Sequence, residues 1–207
     1  MYLKISGLLF LLLTTLAVAQ KPRIPETMVQ DQEGRRLSFY SDLVKGHTVA
    51  INFIFTTCST ICPVLAANFR KTQQELGENS GHVRLISISV DPATDTPERL
   101  KQFAARYHAG PGWSLVTGNK TEIDALLGAL GMAVRDKLEH TPTVLIGNDA
   151  SGQWQRVSGL SSSTVILRTL REVAATQPET SAQAAQHFPN PELLTHDGDP
   201  VALDLDQ

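Results

Sequence analysis

The sequence predicts an α/β domain with a largely parallel central sheet and helices on both faces. Three observations point there. Two apolar runs of strand length, residues 47–55 and 83–90, are continuous rather than alternating, as strands covered on both faces are. Each run is followed by a helix-start pattern, which gives the strand–helix alternation of a parallel sheet. Residues 143–147 and 153–157 then read as a strand pair across a polar turn, which closes the sheet with an antiparallel edge.

The elements follow in chain order. Residues 28–40 read as an N-terminal β-hairpin around Asp31-Gln32-Glu33-Gly34, and residues 41–46 as a helical turn closed by Gly46. After the first apolar run, a helix over 63–75 presents Leu65, Phe69 and Leu76 on one side. Asp95-Thr96-Pro97-Glu98 opens the next helix, to about residue 107. Asp95 stands at the expected cap, a proline lies in the first turn, and an acid lies near the positive end. Residues 113–116 form a short strand, Thr121 and its neighbours cap a helix to about 130, and Ser162 or Ser163 caps a last helix to about 174. Trp113, Phe53 and Phe55 are expected in the core.

The ends differ in composition from this body. Residues 1–19 carry one cation, Lys4, a core of leucines and Ala17-Val18-Ala19, the pattern of an export signal. It is either cleaved or kept as an anchor through residues 5–19, which places the domain in a periplasm. The formal charge is −3, and loss of Lys4 with the leader would make it −4. No basic stripe exists for nucleic acid, and any membrane attachment is limited to that N-terminal anchor. The domain is expected over residues 20–175, with a linker and tail over 176–207. Pro191-Glu192-Leu193-Leu194 and the residues after them echo Pro25-Glu26-Thr27-Met28 and its hairpin. That echo reads as the start of a second, truncated copy or as an ordinary hairpin tail.

The only two cysteines, Cys58 and Cys62, lie four apart where the first apolar run gives way to a helix. That spacing sets both sulfurs on one helix face, about one turn apart. Free N–H groups and a partial positive charge there favour thiolate. A structural disulfide is the bland alternative, but so short a loop constrains the unfolded chain little. The pair reads as a redox dithiol or as half of a soft-metal site. His47, His82 and His108 stand beside turns and read as solvated, and His187 and His196 lie in the tail. Asp91 either orients the site or closes a turn.

The motifs together resemble the SCO/SenC copper chaperones, a branch of the thioredoxin-like fold. The resemblance rests on Cys58-Ser59-Thr60-Ile61-Cys62-Pro63, on the block from Ser87 through Val90-Asp91-Pro92 to Asp95-Thr96-Pro97, on Gly112-Trp113, and on His140-Thr141 before the strand ending Leu145-Ile146-Gly147. It covers about residues 23–175. It implies a copper site of Cys58, Cys62 and His140. Thiolates suit Cu(I), and an imidazole also suits Cu(II). It implies delivery to the copper-bearing subunit of a cytochrome c oxidase, among periplasmic copper and thiol-redox proteins. Two departures stand out. Ser59-Thr60-Ile61 lacks the acid the family often has between the cysteines, and Thr141-Pro142-Thr143 resembles a thioredoxin segment. They support an alternative, a periplasmic thiol–disulfide oxidoreductase in which Cys58 attacks, Cys62 resolves and Pro142 shapes a groove.

Overall fold

A computed structural model describes residues 22–77, 82–133 and 142–175. The expected leader, the tail with its echo, and His140 lie outside the described residues. The elements are β1 (Met28–Asp31), β2 (Arg36–Ser38), a helical turn (Phe39–Val44), β3 (Thr48–Ile54), α1 (Cys62–Leu76), β4 (Val83–Ser89), α2 (Pro97–Arg106), β5 (Trp113–Gly118), α3 (Lys120–Ala129), β6 (Thr143–Asn148), β7 (Gln153–Ser158) and α4 (Ser163–Ala175). Their order matches the expected one. Among the described residues no helix is long and apolar enough to cross a membrane.

The seven strands form one sheet in the order β2-β1-β5-β4-β3-β6-β7. Parallel pairing is confined to its centre, β3 with β4 and β4 with β5. The other four pairings are antiparallel. The sheet is therefore less parallel than the strand–helix alternation predicts. Only α1 and α2 act as crossovers, which parallel neighbours require. The chain then comes back to run β6 against the free side of β3.

All seven residues of β3 are buried, which explains its unbroken apolar run. Ala50 and Ile54 face a core filled by Ala66 and Phe69 of α1, Leu100 and Phe103 of α2, and Ile166 and Leu170 of α4. Val49, Ile51 and Phe53 face the opposite core, with Phe39 and Leu43 of the helical turn and Ile123 and Leu126 of α3. Helices thus cover both faces, as expected, and Trp113, Phe53 and Phe55 are buried. The helical turn closes with Lys45 N donating to the Tyr40 carbonyl, a five-residue step wider than an α-turn.

Two caps differ from expectation. Thr96 caps α2 by accepting from Arg99 N, and Asn119 caps α3 by accepting from Thr121 N and Glu122 N. Asp95 does something else.

Candidate functional site

The site is the loop between β3 and α1, where the parallel strands end. Its first residue is pinned. The Asp95 carboxylate, fully buried, accepts from Thr56 N at 3.1 and 3.2 Å and from Thr56 Oγ1 at 2.6 Å. Its other oxygen accepts from Ser89 Oγ at 2.6 Å, at the end of β4. Ser89 Oγ in turn accepts from Asp91 N at 3.1 Å. One carboxylate therefore joins the ends of two adjacent parallel strands. Asp91 closes the intervening turn through its backbone carbonyl, which accepts from Thr94 N and Asp95 N.

Beyond Thr56 the chain turns, with Cys58 N donating to the Phe55 carbonyl at 3.1 Å. The N-cap position of α1 is Ile61, which has no side-chain acceptor to offer. The sulfur of Cys58 fills that role, accepting from Cys62 N at 3.3 Å. Pro63, in the first turn, has no N–H to satisfy. Thr60 Oγ1 lies 3.8 Å from the same sulfur.

The two thiols are free and unlike. For Cys58, partial burial works against ionisation. It is outweighed by hydrogen bonds to the sulfur from the Cys62 thiol and from the backbone of Cys62, Thr60 and Ile61, which bring its pKa down to about 7. Cys62 is fully buried. Burial, then its hydrogen bond to Cys58, pushes its pKa up to about 12, against a backbone hydrogen bond from Phe55. The pair behaves as one partly exposed thiolate held by a buried thiol.

The structure brings together two of the three sequence-predicted site residues, Cys58 and Cys62. The third, His140, lies outside the described residues. Among the described residues no group of three His, Cys, Asp or Glu gathers closely enough to hold a metal ion. His82 and His108 are exposed, as expected. His47 differs. It is half-buried, its Nδ1 is shielded and unpartnered, and burial followed by the nearby Arg84 holds its pKa down.

The neighbouring segments carry residues that sequence reasoning passed over. Asn68 Nδ2 donates to the carbonyls of Gly159 and Ser161 at 3.0 and 2.9 Å, tying the β7–α4 turn to α1. Gly159 N donates to the Pro142 carbonyl at 2.8 Å. A Cβ on Gly159 would strike Leu65 Cδ2. On the α2 side, Thr56, Thr57, Arg99, Gln102, Phe103 and Arg106 line a cavity of about 210 Å³. The one signal for Asp95 was a second acceptor directly before an adequate Thr-Pro cap.

A thioredoxin-like sheet with a paired cysteine at the strand–helix junction defines a dithiol domain class. The sequence profile of SCO1/SenC matches residues 27–175, so the chain belongs to the SCO1/SenC family. It is 41% identical over 97 residues to the SCO1 protein homolog of Bacillus subtilis, covering 46% of this chain and 49% of that protein. It is 32% identical over 118 residues to a putative copper-binding protein of Stutzerimonas stutzeri, 56% of each chain. The chain thus spans about half the length of these relatives. The solved structure of BsSco, a member of the Sco family of cytochrome c oxidase assembly proteins studied for a disulfide switch, superposes with a TM-score of 0.62. Its identity is 29%, and the match covers 76% of this chain and 98% of that one.

Proposed function

We propose that this chain is a copper metallochaperone whose cargo is held by Cys58, Cys62 and His140 and passed to the copper-bearing subunit of a cytochrome c oxidase. The observation that carries the reading is the pair of free, one-turn-spaced thiols at the start of α1, one of them ionised near neutrality. Soft thiolates suit Cu(I), and two of them leave room for a third donor and for a partner's incoming ligand. His140 supplies that third donor in this reading. The copper-binding relative and the oxidase-assembly relative support it. The leader-like pattern of residues 1–19 supports a periplasmic location, released or anchored.

Anaerobic copper titration of the full, reduced chain tests the proposal. The wild type should bind one copper, His140→Ala should bind about tenfold or more weakly, and Cys58→Ser or Cys62→Ser should lose tight binding. Equal binding by wild type and His140→Ala would remove His140 from the site.

The unlike thiols favour a second reading, a thiol–disulfide oxidoreductase. The Cys58 thiolate attacks a partner disulfide and releases one partner thiolate. Cys62 then loses its proton and attacks the Cys58 sulfur, releasing the second. Two electrons pass to the partner and a Cys58–Cys62 disulfide remains. In this reading His140→Ala leaves turnover unchanged.

A further inference from the structure

The cysteine loop lies between two unlike surfaces. On the side of β4 and β5 is the cavity of about 210 Å³. Arg99, Gln102, Phe103 and Arg106 recur at helical intervals, so one face of α2 supplies its wall and the buried Phe103 its floor. Arg99 and Arg106 are exposed, and neither has an ion-pair partner among the described residues. Other cations are held by acids, Arg35 by Asp31, Lys101 by Glu33 and Lys120 by Asp124, or, like Arg84 and Arg156, by backbone carbonyls. The nearby acids are engaged. Asp95 is sealed behind Thr56, and Glu98 accepts from Gln102 Nε2. The wall therefore offers two forked cations and the exposed Thr57 hydroxyl to an acceptor.

At the start of α1 and in the turn after β7, two apolar side chains are exposed. Val64 and Leu160, 45% and 54% exposed, are two of the three exposed large hydrophobic side chains among the described residues. Val64 stands two residues after Cys62. Leu160 sits between the two carbonyls that Asn68 holds, one helical turn further along α1. Half-buried Cys58 follows directly on Thr56 and Thr57 of the cavity and lies six residues before Val64.

We propose that this face docks a protein segment carrying carboxylates beside an apolar side chain. The acids enter the cavity between Arg99 and Arg106, the apolar side chain rests on Val64 and Leu160, and the segment crosses Cys58. A guanidinium fork matches a carboxylate in two parallel hydrogen bonds. A free small acid would satisfy the arginines and leave the apolar side uncovered, so the occupant is a polypeptide. The inference rests on the reading that a partner protein meets Cys58, and it names what that partner presents.

The test uses the full chain, reduced and metal-free, with amide resonances followed by NMR. The probes are a nonapeptide with two adjacent glutamates and a leucine three residues on, the same peptide with glutamines, and succinate. The acidic peptide should move the Thr57 and Arg99 amides and bind about tenfold tighter than its glutamine form. Arg99→Gln with Arg106→Gln should erase that preference, and Leu160→Ser with Val64→Ser should weaken both peptides alike. If the arginine variant loses its fold, about 0.5 M salt on the wild type must erase the preference instead. Equal binding of the two peptides overturns the proposal. So does succinate binding as tightly as the acidic peptide, or shifts confined to another face. Because no copper is present, a chain that binds peptide but not copper refutes the chaperone reading alone. A chain that binds copper but not peptide refutes the docking alone.

Discussion

Replacing Asp95 by alanine tests the tether at the root of the cysteine loop. Three donors lose their acceptor: Thr56 N, Thr56 Oγ1 and Ser89 Oγ. Hydrogen bonds to a charged group contribute about 1.5 kcal/mol or more each, a gross loss of about 5 kcal/mol. Asp95 has no ion-pair partner among the described residues, so removing its buried charge returns on the order of 2 kcal/mol of desolvation cost. The net loss is about 3 kcal/mol. In urea unfolding, at a slope of about 2 kcal/mol per molar, the midpoint should fall by about 1.5 M. Asp95→Asn keeps one accepting oxygen and should fall about half as far. Hydrogen exchange at Thr56 supplies a local readout, because its amide loses its only assigned acceptor. A midpoint shift below about 0.5 M with an unchanged slope would show that Asp95 is not holding the two strand ends together.

Alkylation of Cys58 by iodoacetamide should rise with pH around a midpoint near 7, because the thiolate is the nucleophile and deprotonation increases as pH climbs. Cys62, pushed up to about 12, should stay unlabelled through pH 9 when peptides are mapped by mass spectrometry. A Cys58 midpoint near 8.5, that of an ordinary thiol, would contradict the hydrogen bonds assigned to its sulfur. Gly159→Ala should cost about 1–3 kcal/mol in equilibrium unfolding, since the added methyl meets the buried Leu65 and the Pro142 carbonyl. Asn52→Val should raise the thermal midpoint by a few degrees, about 1 kcal/mol. Both polar atoms of Asn52 are buried without a partner, and valine suits the strand.

Much of this architecture was legible in the chain. β3 could be read because it is buried on both sides, so it appears as an unbroken run too short for a helix and rich in β-branched and aromatic residues. The β6–β7 pair could be read because its polar turn sits between an apolar run and a segment with Trp154 and Val157 among polar residues. The place of β6 in the sheet could not. Its apolar pattern is the same whichever strand it joins, and the choice of the free side of β3 depends on how the whole chain returns. Asp95 illustrates a second limit. Locally, an acceptor before Thr96-Pro97 reads as a cap, and only the folded sheet brings it to Thr56, 39 positions earlier. The cysteine pair was legible from spacing, but the difference between its members was not. That difference comes from one sulfur sitting at the start of α1 and the other inside the core.

The pinning of Thr56 by Asp95 and the burial of Cys62 in the first turn of α1 also bound how far a change at the cysteines can spread. Both ends of the loop are fixed to the rigid body of the domain, one to β4 and one to the core. Between them lie residues 57–61 alone. A bridge between the sulfurs, or its reduction, should thus be taken up largely within those five residues, with the ends of β3 and β4 left in place. The rim around Cys58 should change shape while the strand ends behind it keep the same form.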